Sequence, residues 1–286
     1  MFFRRKQSLI IIQRVSSQFI YARALQLLLF FRRKNVIYDL DDADFLEKPP
    51  GTMFYFLKRC NKIQVGGREL EGVVKKINTN TFVNTSPVPD LGIEKSKKGE
   101  KLHIGWIGDF NGGHRQSMIE LVFPAIRSTE VEIKFTLLGV GRKIKSDFNF
   151  IREYFDGNPK VELNLPENVD WKDESRIQRM ISEFDIGIAT LLDTELHRCK
   201  SGFKTKQYLN NGVPVLSSDV PENNRVVVDG VNGYLCNNPE EFAKAIDRIR
   251  EMTGPDYSDL SRKSRESASQ FEIQQYLDKL IDQISE

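Results

Sequence analysis

The sequence predicts an α/β protein with parallel sheet, in which the strand–helix pattern is built twice. Short apolar runs suited to buried strands alternate with stretches whose apolar residues recur every three to four positions. The alternation restarts after a charged, aperiodic run, Glu94-Lys95-Ser96-Lys97-Lys98-Gly99-Glu100-Lys101. Glycines and polar residues follow several strands, which is where open α/β sheets bind ligands.

Taken in order, Leu9–Val15 is apolar and strand-like. Gln18–Lys34 carries a helical period and ends in Arg32-Arg33-Lys34, cations that suit the negative pole of a helix dipole. Val36–Leu40 is a second strand and runs into Asp41-Asp42. Pro49-Pro50-Gly51 signals a turn and a helix start, so Met53–Cys60 is a helix. Lys62–Val65 is a strand, Arg68–Ile77 a helix and Thr81–Asn84 a short strand. The charged run 94–101 reads as a linker. After it come strand His103–Ile107, helix Ser117–Ile126, strand Glu132–Gly139 and helix Asn149–Phe155. Strand Val161–Leu163, helix Ile177–Phe184, strand Ile186–Ala189, helix Phe203–Asn210 and strand Val213–Ser217 follow. Glu240–Met252 and two further helical stretches close the chain. The expected domains are therefore 1–97 and 98–286.

Composition narrows the class. Hydrophobic residues at 40% and charged ones at 29% fit a soluble globular chain. A net charge of +2 supplies no basic field for nucleic acid. Cys60, Cys199 and Cys236 are odd in number and far apart, which argues for a reducing compartment over a disulfide framework. No apolar run reaches the ~18 residues of a membrane helix. The opening MFFRRKQSLIIIQRV has a basic start, but its apolar run is short and Gln13-Arg14 ends it without a cleavage signal. The expected location is cytoplasmic. A weak membrane-surface contact by Phe2, Phe3, Arg4, Arg5 and Lys6, peripheral at the inner membrane face, is the competing use of this segment.

Three stretches are candidates for chemistry. Ile104-Gly105-Trp106-Ile107-Gly108-Asp109-Phe110-Asn111-Gly112-Gly113-His114 is a strand, a glycine loop and a helix start. Such loops let backbone N–H groups approach a phosphate, and they also serve as ligand-free turns. In Lys200-Ser201-Gly202-Phe203-Lys204-Thr205-Lys206-Gln207, helical spacing would put Lys200, Lys204 and Gln207 on one face, with Lys206 on another. Cations near a helix start oppose its dipole unless an anion sits there. Asp39-Leu40-Asp41-Asp42 clusters carboxylates at a strand end. They would suit turn and cap roles, an acceptor or proton transfer, or a D-x-D metal site. The three histidines, His103, His114 and His197, lack metal-ligand spacing.

Together these residues resemble the retaining GT-B glycosyltransferases of family 4, the glycosyl transferases group 1. The resemblance covers most of the chain and is strongest from Ile104 to Leu235. It runs through Leu137-Leu138-Gly139-Val140-Gly141, Phe184-Asp185-Ile186-Gly187-Ile188, Lys200-Ser201-Gly202-Phe203-Lys204, Gly212-Val213-Pro214-Val215 and Asp229-Gly230-Val231-Asn232-Gly233. Val36–Ala43 is similar to part of the family's N-terminal domain. The resemblance implies two Rossmann-like domains facing a cleft, with the N-terminal, acceptor-side one shortened. It implies metal-independent transfer of a sugar, with retention, from a nucleotide-diphosphate sugar to a carbohydrate or lipid-linked acceptor, with no cofactor. Lys200 and Lys204 would neutralise the diphosphate and, with Asp41, form the catalytic set. Gly108, Asp109, Gly202, Phe203 and Gln207 would complete the donor site, and Leu165–Trp171 would contact the base. Where many members carry glutamates in an E-x7-E spacing, this chain has Cys199 and Gln207. A non-catalytic nucleotide-sugar-binding remnant is the alternative function. A GT-B-type epimerase would need acid/base carboxylates that the C-terminal half does not offer.

Overall fold

The computed structural model describes residues 9–13, 19–32, 36–47, 51–95 and 97–285. The basic–aromatic segment 2–6 lies outside them. The chain forms two compact units. The first comprises Met1–Pro87, Thr194–Ser201 and Gln274–Glu286, and the second Val88–Asp193 and Gly202–Ile273.

The first unit is built on a four-stranded parallel sheet. Strands β1 (Ile10–Gln13), β2 (Val36–Leu40), β3 (Lys62–Val65) and β4 (Thr81–Val83) lie side by side in chain order. Helices α1 (Phe19–Arg32), α2 (Asp44–Glu47), α3 (Gly51–Arg59) and α4 (Arg68–Lys75) connect them. Tyr38, Phe56, Leu57, Ile63, Leu70 and Val74 are buried at the centre of its core. β2 is apolar at every position but Asp39, as a strand covered on both faces must be, whereas β3 alternates polar Lys62 and Gln64 with buried Ile63 and Val65.

The second unit is doubly wound. Strands β5 (Leu102–Ile107), β6 (Ile133–Leu138), β7 (Val161–Asn164), β8 (Ile186–Ala189), β9 (Val215–Ser217) and β10 (Gly233–Leu235) pair in the order β10-β9-β8-β5-β6-β7, all parallel. The chain runs outward from β5 through β6 and β7, then returns to lay β8, β9 and β10 on the other side. The strand order therefore reverses between β5 and β8, and a binding crevice is expected at their carboxyl ends. Helices α5 (Gly112–Ser117), α6 (Phe123–Ser128), α7 (Asp147–Phe155) and α8 (Glu174–Ser182) cover one half of the sequence. Further on come α9 (Glu195–Arg198, in the first unit), α10 (Phe203–Asn210), α11 (Pro221–Asn224), α12 (Pro239–Glu251), α13 (Gly254–Ala268) and α14 (Ile273–Ser285, in the first unit from Gln274).

Two expectations change. The helix expected over Ser117–Ile126 is part of a longer path, Gly112–Ser128, with a π-turn at Met118–Val122. Pro124 has no N–H to give the preceding turn, and a widened turn is one way a helix accommodates that loss. The run 94–101, expected as a free linker, is bound into the second unit. Lys95 ion-pairs with fully buried Asp185 at 2.9 Å. Lys98 Nζ donates to the carbonyls of Ile249, Arg250 and Met252, closing the end of α12. Lys95 and Lys98 thus have specific partners, so polarity at these positions does not mean solvation.

His103 illustrates a buried polar group that is fully satisfied. Its Nε2 lies 2.8 Å from Thr136 Oγ1, which also accepts from Asn164 Nδ2. The Thr136 hydroxyl therefore donates to Nε2, and the His103 proton sits on Nδ1, toward the Glu183 backbone. Burial, aided by the nearby Lys134 charge, pushes the imidazole down to about 4. Because the folded value lies below the ordinary one, this contribution is complete above pH ~6.5 and is lost as pH falls toward 4. We expect roughly 3 kcal/mol of pH-dependent stability across that window from this group. Urea titrations of wild type and His103→Gln across the same range check this, since identical pH slopes would refute it. The three cysteines are buried and form no disulfide, and burial drives Cys60 and Cys236 up to about 12.

Candidate functional site

The site is assembled at the carboxyl end of β5. Ile107 N–H donates to the Tyr208 hydroxyl at 2.9 Å, which ties the strand end to α10. The chain then turns at Gly108, whose φ of 150° favours glycine. A second glycine, Gly139 (φ 104°), follows β6, and a Cβ there would stand 1.9 Å from the Gly108 carbonyl oxygen. Absence of side chains thus lets the two loops touch and exposes backbone at the crevice floor.

Lys204 is laid across this floor. A Cβ at Gly108 would meet its Cε at 2.6 Å. Its ammonium lies 3.0 Å from His114 Nε2 and 5.9 Å from the Trp106 ring centroid. An ammonium can only donate, so His114 presents its Nε2 lone pair. The helix that carries Lys204 starts at Gly202, which caps it in the left-handed conformation at φ 65°. The cation therefore sits in the first turn of α10, where the backbone N–H groups also point outward. Asp109 pairs with Lys143 at 3.1 Å, and its second carboxylate oxygen is buried without a hydrogen-bond partner.

Beside this floor is a cavity of about 470 Å³ lined by Gly139–Arg142, Pro166–Trp171 and Arg176. The Arg142 guanidinium lies 5.1 Å above the Trp171 ring. A planar heterocycle could stack in such a place, and the arginines favour anionic or carbonyl-rich ligands.

The lysine cluster is divided differently from its expected helical face. Lys204 and Gln207 share α10, and Gln207 is half-buried there. Lys200 is not on the helix, because α9 ends at Arg198 and the left-handed Gly202 separates Lys200 from α10. It belongs to the first unit and pairs with Asp42 at 3.0 Å. Lys206 is completely buried, with its ammonium 5.4 Å from the Phe271 ring and 5.9 Å from the Phe203 ring. Phe203 itself is exposed. The aspartates after β2 are engaged separately. Asp41 accepts from Ser86 Oγ at 3.0 Å, and Asp39 from Gln13 and Gln64. Among the described residues no group of three or more His, Cys, Asp or Glu is placed to hold a metal ion.

Sequence reading did not assign roles to Arg142, Arg176 or the His114–Lys204 contact. Arg142 follows Gly139-Val140-Gly141 directly, which is the signal that could have pointed to it. Nothing in the spacing of His114 and Lys204, 90 residues apart, announces their contact.

The fold is that of GT-B glycosyltransferases. A glycosyltransferase from Rickettsia africae ESF-5 superposes with a TM-score of 0.72 at 10% identity, over 96% of this chain and 76% of that one. Anabaena Alr3699/HepE, in complex with UDP-glucose, gives 0.72 at 13% identity, over 96% and 78%. Sucrose-phosphate synthase from Thermosynechococcus elongatus gives 0.72 at 13%, over 97% and 73%. No curated protein sequence matches the chain significantly. Residues 101–251 match the sequence model described as Glycosyl transferases group 1. That match spans more than half of the chain, including the whole β5 crevice with Lys204, and the chain belongs to the glycosyl transferases group 1, a family of glycosyltransferases.

Proposed function

We propose that the chain transfers a sugar from a nucleotide-diphosphate sugar to a carbohydrate or lipid-linked acceptor, with retention and without a metal ion. The observation that carries this reading is Lys204, set over the bare backbone of Gly108 in the first turn of α10. The diphosphate would lie between the Lys204 ammonium and the N–H groups of that turn, with the base in the cavity beside Trp171. As the bond to the sugar breaks, negative charge grows on the leaving diphosphate. A fixed cation and helix terminus stabilise that charge more than the ground state, which accelerates the step. Gln207, one turn on, is assigned to a donor hydroxyl, and Gly202 and Phe203 to the approach of the donor at the helix start. Asp109 would orient Lys143 beside the phosphates. The roles of Lys200 as a second cation and Asp41 as an acceptor-side carboxylate are proposed from the family resemblance alone. The bound neighbours support the donor class: Alr3699/HepE is described in complex with UDP-glucose, and a pneumococcal O-GlcNAc transferase in complex with UDP and GlcNAc.

Calorimetry against a panel of nucleosides, nucleoside diphosphates and nucleotide sugars tests this. Diphosphate-bearing ligands should bind, and a chelator should leave their affinity unchanged. Binding that appears only with added magnesium or manganese, and disappears in Asp41→Asn, would transfer the donor site to the aspartate cluster.

A further inference from the structure

The buried face of α10 carries two hydroxyls that packing alone does not call for. Thr205 and Tyr208 lie three residues apart, so they share one face of the helix, and both are completely buried. Lys204 and Gln207, also three apart, form the neighbouring face and are half-buried. Valine and phenylalanine would fill the same space as Thr205 and Tyr208 without bringing a polar atom that needs a partner. Each hydroxyl instead ties α10 to the carboxyl ends of strands in its own unit.

The Tyr208 ring is seated on β8, where a Cβ at Gly187 would stand 2.4 Å from its Cγ. From that seat its hydroxyl accepts from Ile107 N–H at 2.9 Å. The register of β5 with β8 ends at the pair Trp106 and Ile188, so Ile107 is the first residue of β5 beyond it. Gly108 N–H turns to the other neighbour and donates to the Leu138 carbonyl at 3.0 Å. Tyr208 thus serves the amide at the point where β5 and β8 part, which is the point where the strand order reverses. Thr205 makes the second tie. Its Oγ1 donates to Asn223 Oδ1 at 3.4 Å, and Asn223 Nδ2 donates to the carbonyls of Ala189 and Ser218, both at 3.3 Å. Buried Asn223 therefore joins the ends of β8 and β9 to the first turn of α10.

Both ties act on the segment that carries Lys204, which is adjacent to Thr205 and one turn before Tyr208. A shift of ~1 Å in a group that acts on a reacting centre can cost ~10²-fold in rate. We infer that Thr205 and Tyr208 are positioning residues for the donor diphosphate, because their hydroxyls hold α10 in register against the ends of β5, β8 and β9 and so fix Lys204 over the Gly108 backbone. Being completely buried, neither touches the donor itself. This inference rests on the transferase reading above and assigns roles within it.

Calorimetry with UDP and GDP, each beside its own nucleoside, tests it on folded variants. Tyr208→Phe keeps the ring on Gly187 and removes only the hydroxyl. The ratio of diphosphate to nucleoside affinity should fall ~5–10-fold, the scale of one hydrogen bond, while nucleoside affinity stays constant. Thr205→Val keeps the shape and loses the hydroxyl, so it should lower the ratio as well. Thr205→Ser keeps the hydroxyl and loses a methyl, so it should keep the wild-type ratio. A packing role predicts the opposite order for the Thr205 pair, and that order would overturn the inference. In a Lys204→Ala background, Tyr208→Phe should lower the ratio no further, since it acts through Lys204. Equal losses in the two backgrounds would overturn the inference. A loss in Lys204→Ala beside an unchanged ratio in Tyr208→Phe would overturn the positioning role and leave the donor site standing. An unchanged ratio in Lys204→Ala itself would overturn both.

Discussion

Lys204→Ala should abolish sugar transfer at ordinary donor concentrations while leaving nucleoside binding intact. The ammonium is fixed by His114 at 3.0 Å and rests on the Gly108 backbone, so its position is set before the donor arrives. Loss of a hydrogen bond to a charged group costs ~1.5–3 kcal/mol, which should appear in the affinity for a nucleoside diphosphate. Transfer should suffer more, by ~10²–10³ in rate, because charge on the diphosphate peaks as the glycosidic bond breaks. Nucleoside affinity should stay constant, since the base cavity is lined by residues of the β6 and β7 loops. Lys206→Ala cannot serve as the control, because Lys206 is completely buried between aromatic rings and its removal would disturb packing. Lys244, exposed on α12, is the appropriate one. Equal, small losses in Lys204→Ala and Lys244→Ala would mean a generally basic surface and would remove the diphosphate site from α10.

The reading of sequence and the structure diverge in an instructive way at this lysine cluster. The strands and most helices were legible because burial on both faces leaves continuous apolar runs. Val36–Leu40 and Ile186–Ala189 fall at the expected residues. Short elements such as α2, α9, α11 and β10 have too few residues to show a period. Gly202 lies within the expected helical face, yet its left-handed φ ends that face and separates Lys200 from Lys204. A glycine one residue before a helix permits either outcome, and spacing alone cannot choose. Lys206 shows the same limit from another side. A lysine is rarely buried, and only the tertiary placement of Phe271 reveals that this one is. The charged run 94–101 looked solvated because its partners, Asp185 and the end of α12, lie far along the chain.

That last contact leads to the largest expected loss of stability. Asp185 precedes β8 with its side chain fully buried. Its Oδ1 accepts from Gly99 N–H and Lys95 Nζ, both at 2.9 Å, and its Oδ2 from His103 N–H at 2.7 Å. Its backbone N–H donates to the His103 carbonyl at 2.7 Å, and its carbonyl accepts from the Tyr257 hydroxyl at 2.9 Å. One residue thus ties the start of β5, the run 94–101 and α13 to the sheet. Asp185→Ala would leave two backbone N–H groups and a largely buried ammonium without their anion. Breaking one partner of a buried pair costs ~3–5 kcal/mol, so the variant should unfold at much lower urea than wild type. Asp185→Asn should lose less, since one oxygen remains to accept. Lys95→Met should lose least, because the two backbone donors still satisfy the carboxylate. Both tryptophans, Trp106 and Trp171, belong to the second unit, so their fluorescence follows this unit specifically. A loss in Asp185→Ala below ~1 kcal/mol, the scale of an exposed ion pair, would show that the carboxylate does not hold these elements together.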